Sequence, residues 1–305
     1  MPRRPAMDAK IIAIMSPGDM GSGIGRDLTA RGFDVVTCLA GRGEGSRTRA
    51  RAAGIRDLPD LDTLVAEADL VLSILPPESA PALARNVAAA MIRSGATPPF
   101  ADCNAIAPET TQAIGETIRA AGAAFIDGGI IGLAPGKANK PVRIYTSGPE
   151  AGLMGALDGG GIAIRFCGLE IGRASAVKMC YAAISKGTNT LHTATLIAAE
   201  VLGVGEVLRG ELADSAAATY RHMQAKVPRL PADAARWIGE MEEIAITFEA
   251  AGVTPHFHQG ARDTFKLLAD TPFAAETRET IDPNRTMEQS IEVYVDHRPG
   301  RKSTQ

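Results

Sequence analysis

The residues best equipped for chemistry fall on one helical stripe. At 100° per residue, Lys178, Tyr181, Ser185, Asn189 and His192 lie within an arc of about 80° on a long helix predicted over 173–204. A lysine near the start of a helix that joins two domains is placed to reach a cleft. There, desolvation and a neighbouring positive charge lower the pKa of an ammonium group. A lysine tuned in this way donates a proton to a carbonyl oxygen as its carbon is reduced, and takes the proton back on oxidation. A solvated helix face has the same periodicity, so the stripe alone leaves both readings open.

The second constellation is a turn. An apolar strand over 10–15 runs into Ser16-Pro17-Gly18-Asp19-Met20-Gly21, which opens a helix. Glycine in such a turn lets the backbone approach a pyrophosphate, whose charge is bound by the free N–H groups at the helix start. An isolated Gly-x-x-Gly says little. Its position directly after the first apolar strand and before a helix is the context that a dinucleotide site requires, with an ordinary strand-to-helix turn as the alternative. An acidic residue about 20 positions further on would bind the ribose 2′-hydroxyl of NAD. The stretch Thr37-Cys38-Leu39-Ala40-Gly41-Arg42 has none. Arg42 is placed to pair with a 2′-phosphate, and Arg47 and Arg49 add charge, so the sequence favours NADP over NAD. Solvated surface arginines are the plainer alternative.

The elements that must position these residues come in two kinds. Up to about residue 170, strands alternate with helices. Strands are predicted over 10–15, 33–38, 69–75, 99–103, 123–127, 142–147 and 162–167, with helices through residue 30 and over 47–53, 80–94 and 108–121. Short apolar strands alternating with helices predict a doubly wound parallel sheet of the Rossmann type, covered on both faces. Beyond the boundary the chain reads as helical throughout, over 173–204, 207–226, 231–251 and 255–270, with Pro228 and Pro231 at one joint and Gly252 and Pro255 at another. The expected organisation is α/β: a Rossmann-like domain over 1–170, then an all-α domain over 171–305 that begins with the long helix.

Composition removes other classes. With 45% hydrophobic residues in 305, the chain has ample material for cores. A net charge of −3 and an aromatic share of 4% argue against nucleic acid as a partner. No apolar run is long enough for a membrane helix. The segment 1–10 reads as a short tail rather than a signal peptide, and residues from about 298 onward read as a loose end. Four widely spaced cysteines, Cys38, Cys103, Cys167 and Cys180, fit a reducing cytoplasm and not structural zinc. His256-Phe-His258 offers two ligands without a third cluster, so no metal is expected. Lys186 is expected to face solvent or else to contact substrate, and Glu240, Glu242 and Glu243 to form a solvated or inter-subunit acidic face.

Four motifs, in order, make the chain resemble the β-hydroxyacid dehydrogenases, the group of 3-hydroxyisobutyrate and 6-phosphogluconate dehydrogenases. They are the turn Ser16 to Gly21; Ser73-Ile-Leu-Pro-Pro77, similar to the family's strand-end Leu-Pro; Asp102-Cys-Asn-Ala-Ile-Ala-Pro108, similar to Asp-x-Ser-Thr-x-x-Pro; and Gly172-Arg-Ala-Ser-Ala-Val-Lys178, with the family's spacing from glycine to catalytic lysine. The match is nearest to a phosphogluconate-dehydrogenase-like branch. The resemblance implies Lys178 as general acid/base. It implies Gly18, Asp19, Met20 and Gly21 at the pyrophosphate, with Leu75, Pro76 and Asn104 along the cofactor path. It also implies a homodimer formed through the helical domains.

The departures fall on the substrate side. In Phe125-Ile-Asp-Gly-Gly-Ile-Ile-Gly132, Ile131 stands where the family has a carboxylate-holding serine, beside Gly132. Four residues after the lysine the family has asparagine, and this chain has Ala182. The family's second lysine aligns near Gly239. Tyr181 and Ser185, with Asn189, are candidates for the missing hydrogen bonds. The expected activity is hydride transfer between a nicotinamide and a hydroxy acid or carbonyl compound. An imine reductase of the same architecture and a non-catalytic cofactor-binding module are the alternatives.

Overall fold

The structure is a computed structural model that describes residues 9–300. The expected tail over 1–10 and loose end over 298–305 fall largely outside the described residues. Contacts divide the chain into two units, Met1–Met179 and Cys180–Gln305.

The first unit is built on an eight-stranded sheet. Its strands are β1 (Ile11–Ile14), β2 (Asp34–Cys38), β3 (Arg56–Leu58), β4 (Leu70–Ser73), β5 (Phe100–Asp102), β6 (Phe125–Ile131), β7 (Val142–Ser147) and β8 (Ile162–Phe166). Their spatial order is β3-β2-β1-β4-β5-β6-β7-β8. The strands from β1 to β6 pair in parallel, β7 runs antiparallel to β6, and β8 is parallel to β7. A buried parallel strand must be apolar on both faces. Accordingly, Ile12 and Ile14 of β1 enter one hydrophobic cluster with Ile24 and Leu28, while Ala13 and Met15 enter the other with Val71 and Phe100. The crossover helices are α1 (Asp19–Ala30), α2 (Glu44–Ala52), α3 (Leu61–Glu67), α4 (Ala80–Ser94) and α5 (Pro108–Ala120).

The expected Rossmann-type architecture is borne out. Two elements, β3 and α3, escaped the sequence reading because both are short. The start of α3 does carry a signal, since Asp60 caps it by accepting the Thr63 N–H at 2.7 Å. Strand β6 runs four residues beyond the 123–127 expected, through two glycines that normally weaken a strand.

The helix after the sheet, α6 (Arg173–Val201), is continuous for 29 residues. It stops short of residue 204 because Gly203 takes a left-handed φ of +74°. The single helix expected over 207–226 is two, α7 (Gly205–Ser215) and α8 (Ala217–Lys226), broken where Ala216 leaves helical geometry at φ −138°, ψ 41°. Three more follow: α9 (Pro231–Ala250), α10 (His256–Ala269) and α11 (Met287–Asp296). The last starts with a Thr286/Gln289 capping box. Met241, Ile244, Phe265 and Leu268 are fully buried within this second unit. Among the described residues no helix is long and apolar enough to cross a membrane.

Candidate active site

In an open parallel sheet the place for a ligand is the crevice at the carboxyl ends of the strands where the winding direction reverses. Here that point lies between β1 and β4, which are neighbours in space but not in sequence. Three segments meet along this edge: the turn after β1, residues 74–77 after β4, and residues 103–107 after β5.

The turn is shaped by its glycines. A Cβ on Gly21 would stand 2.1 Å from the carbonyl oxygen of Ser16, so only glycine lets the helix start this close to the strand. A Cβ on Gly18 would meet nothing within 4 Å. Gly18 is the N-cap of α1, and no side chain caps the helix. A closed glycine, an open one and an uncapped helix start fit a pyrophosphate. Asp19 opens the helix and is paired with Lys137 at 2.6 Å. Met20 packs on the hydrophobic cluster beneath.

At the end of β2 the structure adds a residue that sequence reading missed. The Asp57 carboxylate on neighbouring β3 accepts the Leu39 N–H at 2.8 Å, and Arg47 pairs with it at 3.1 Å. The other arm of Arg47 donates to the Leu39 carbonyl. Arg49 donates to the Pro17 carbonyl at 2.8 Å and braces the glycine turn. Two of the three arginines read as phosphate ligands thus hold the backbone of the site, and Arg42 is exposed at the rim.

Along β4 and β5, Asn104 is the hub. Its side-chain carbonyl accepts the Leu75 N–H at 2.7 Å, and its amide donates to Ser73 Oγ at 2.8 Å and to Asp102 at 2.9 Å. The Asn104 backbone N–H also donates to Asp102, at 3.0 Å. Leu75 is half-buried and Pro76 exposed. Burial, helped by the adjacent Asp127 carboxylate, pushes the Asp102 carboxyl up to about 7 against the opposing pull of its Asn104 and Ser73 hydrogen bonds.

Asp127, opposite Asp102 in register, anchors α6. One of its oxygens accepts the backbone N–H groups of Gly172, Ala174 and Ser175 at 2.8, 2.9 and 3.2 Å, and the Ser147 hydroxyl at 2.7 Å. The other accepts the Ser175 hydroxyl at 2.6 Å. A buried carboxylate in the strand therefore caps the helix that carries Lys178. Two residues on, Gly129 admits the helix itself. A Cβ there would lie 2.6 Å from the Ala174 carbonyl and 3.0 Å from Lys178 Cβ. Lys178 is half-buried and sits over β6, beyond the last residue of β5 that pairs with it. Ile131 and Gly132 follow at the end of β6, Ile131 buried and Gly132 exposed with φ +128°.

The remaining stripe residues belong to the second unit. Tyr181 is 50% exposed. Ser185 is exposed, and its hydroxyl donates back to the Ala182 carbonyl at 3.4 Å. Asn189 bonds His222 at 2.9 Å, and His192 packs edge-on to that ring at 5.9 Å. Lys186 departs from expectation: it is only partly exposed, paired with Glu240, and stands 5.5 Å over the Trp237 ring. Glu240 is correspondingly buried and not part of a solvated face. His258 is buried against Phe248 at 4.3 Å, and His256 bonds Gln259. Among the described residues no group of three or more His, Cys, Asp or Glu is arranged to hold a metal.

Fold and crevice together define a dinucleotide-binding protein with a 3-hydroxyacid dehydrogenase-like fold. Residues 12–157 match the NAD binding domain of 6-phosphogluconate dehydrogenase, and residues 199–268 match a domain of unknown function, DUF1932. A curated relative, an uncharacterized 28.5 kDa protein from Methanothermus fervidus, is 27% identical over 171 residues, 56% of this chain and 64% of its own. The aligned part thus spans less than two thirds of that relative. A conserved protein of unknown function, described as structurally similar to 3-hydroxyacid dehydrogenases, is 28% identical over 85% of this chain and 97% of its own, with a TM-score of 0.64. The 3-hydroxyisobutyrate dehydrogenase of Mycobacterium tuberculosis shares the fold at 22% identity, over 93% of this chain and 98% of its own, also with a TM-score of 0.64. The resemblance read from the four motifs is borne out.

Proposed function

We propose that the protein is an NADP(H)-dependent oxidoreductase of the β-hydroxyacid dehydrogenase type, with Lys178 as general acid/base. The observation that carries this reading is the seat of Lys178 over Gly129, on the strand next to those that end at the dinucleotide crevice. Bound dinucleotide supplies or accepts the hydride. The protein's part is to hold the substrate carbon in place and to manage the proton on its oxygen. Gly18, Asp19, Met20 and Gly21 cradle the pyrophosphate, Leu75, Pro76 and Asn104 line the path, and Arg42 takes the 2′-phosphate. Lys178 donates a proton to the carbonyl oxygen on reduction and removes it on oxidation. On the sheet side, the main chain at Ile131 and Gly132 borders the substrate.

Titration with NADPH and NADH, followed by a screen of hydroxy acids and carbonyl compounds, tests the reading. Lys178→Ala should keep dinucleotide affinity and lose on the order of 10²-fold or more in turnover. Full turnover in that variant removes the mechanism. A cyclic imine as substrate is the second reading, favoured by the apolar Ile131 where the family holds a carboxylate. Comparing turnover of a keto acid with that of a cyclic imine separates the two.

The working form is a cytoplasmic homodimer. Ile184, Thr188, Leu191, Thr195 and Ala198 on α6, and Leu202 just past its end, are all exposed, at alternating spacings of four and three. That is the seam of a helix packed against a second helix. All four cysteines are free thiols, as a reducing compartment keeps them. Light scattering should show a dimer that Leu191→Glu dissociates, and a monomeric wild-type protein would refute it.

A further inference from the structure

We propose that Arg143 anchors an anionic group of the substrate, a carboxylate or a phosphate, and so replaces the serine that is missing at Ile131. The inference rests on Lys178 as the acid/base and adds the class of molecule presented to it.

The register of the reversed strand carries the case. In an antiparallel pair, residues directly opposite each other point to the same face. Asp127 opposes Ser147, Gly129 opposes Tyr145, and Ile131 opposes Arg143. The Asp127–Ser147 hydrogen bond confirms the shared face, and both groups also reach the start of α6. Gly129 lies under Ala174 and Lys178 on that face. Arg143 and Tyr145 therefore project on the same side of the sheet as Lys178. The intervening Val142 and Ile144 turn the other way, into the hydrophobic cluster. Arg143 stands one two-residue step, about 7 Å, along the strand from the position over which Lys178 sits. That is the span of a small molecule with a carbonyl at one end and an anion at the other.

The guanidinium is also poised for a ligand. Arg143 is half-buried, and its Nε is fully shielded from solvent without a hydrogen-bond partner. No ion pair to Arg143 occurs among the described residues. A ligand reaches the guanidinium at its Nη ends, since Nε itself is shielded. The planar fork of arginine matches a carboxylate or phosphate with two parallel bonds. Tyr145, beside Gly129, adds a hydroxyl on the same face. Neither residue belongs to the motifs that identify the fold, because β7 carries no glycine turn and no catalytic spacing.

The test uses the full-length protein with NADPH and matched pairs of carbonyl compounds: succinic semialdehyde and its methyl ester, acetoacetate and methyl acetoacetate, glyceraldehyde 3-phosphate and glyceraldehyde. In every pair that is consumed, the wild type should favour the charged member by tenfold or more in kcat/KM. Arg143→Met should erase that preference by tenfold or more, chiefly through KM, while turnover of the neutral member stays within threefold. Arg143→Lys should recover part of it. An unchanged preference in Arg143→Met, or a wild type that does not distinguish the members, overturns the proposal. Should neither protein consume any pair, the redox reading fails on its own. The anchor is then read by calorimetry with oxalate and inorganic phosphate, with and without NADPH. Binding that Arg143→Met abolishes sustains the anchor, and no binding, or binding the variant retains, overturns it.

Discussion

Asp127 accepts the Ser175 hydroxyl at 2.6 Å, tying the middle of a strand to the first turn of the helix that carries Lys178. With three backbone N–H groups on its other oxygen, this carboxylate fixes both the start and the rotation of α6. Asp127→Asn turns one acceptor oxygen into a donor aimed at those N–H groups. Urea melts should show a loss of about 2–4 kcal/mol. Turnover should fall further than the melt accounts for, because the helix start shifts under Lys178, while NADPH titration changes little.

Gly129→Ala tests the close approach more locally. The added methyl meets the Ala174 carbonyl at 2.6 Å, which is backbone and cannot swing aside. The expected cost is about 1–3 kcal/mol of stability, with kcat reduced tenfold or more and dinucleotide affinity retained. Wild-type kcat in this variant would show that the seat of Lys178 is not what aligns it.

Asp102 predicts a pH dependence of stability. Its carboxyl titrates near 7 in the folded protein, chiefly through burial, and near 3.9 when unfolded. Between those values the folded state holds a proton that the unfolded state has lost. The group's contribution is thus fully present below about pH 4, declines as pH rises, and is gone above about 7. The slope is up to about 1.4 kcal/mol per pH unit. Urea midpoints from pH 4.5 to 8 for wild type and Asp102→Asn should differ by this one-proton slope. Parallel curves would rule it out.

The Lys186–Glu240 pair is a stability element of the helical unit. With Glu240 buried and Lys186 largely shielded, Lys186→Met should cost about 3–5 kcal/mol, whereas Lys186→Met with Glu240→Leu should recover most of that loss. A double-mutant cycle with no coupling would contradict the pairing.

How far these features could be read from the sequence depended on range. The turn at Gly18 and Gly21 was legible because strand, glycine and helix are contiguous. Asn104 was legible because it sits in a local motif. The Asp127 cap was not, since its partners lie 45 to 48 residues away and no pattern marks a strand aspartate as a helix cap. Lys186 was misread for the same reason: its partner is 54 residues on, and on periodicity alone a helical lysine reads as solvated. Asp57 went unnoticed because a three-residue strand leaves no periodic trace. The direction of β7 was invisible as well, since composition does not distinguish a reversed strand from a parallel one.

That reversal has a consequence for how such a protein changes over time. In a uniformly parallel sheet, ligand preference is written in the loops, and rewriting it means remodelling flexible chain. Here a stiff ladder delivers positions 143 and 145 to the sheet face on which Lys178 sits, while their neighbours 142 and 144 keep the interior filled. Under the proposed anchor, exchanging one residue on that face redirects what the molecule accepts, with the glycine turn and the interior left as they were.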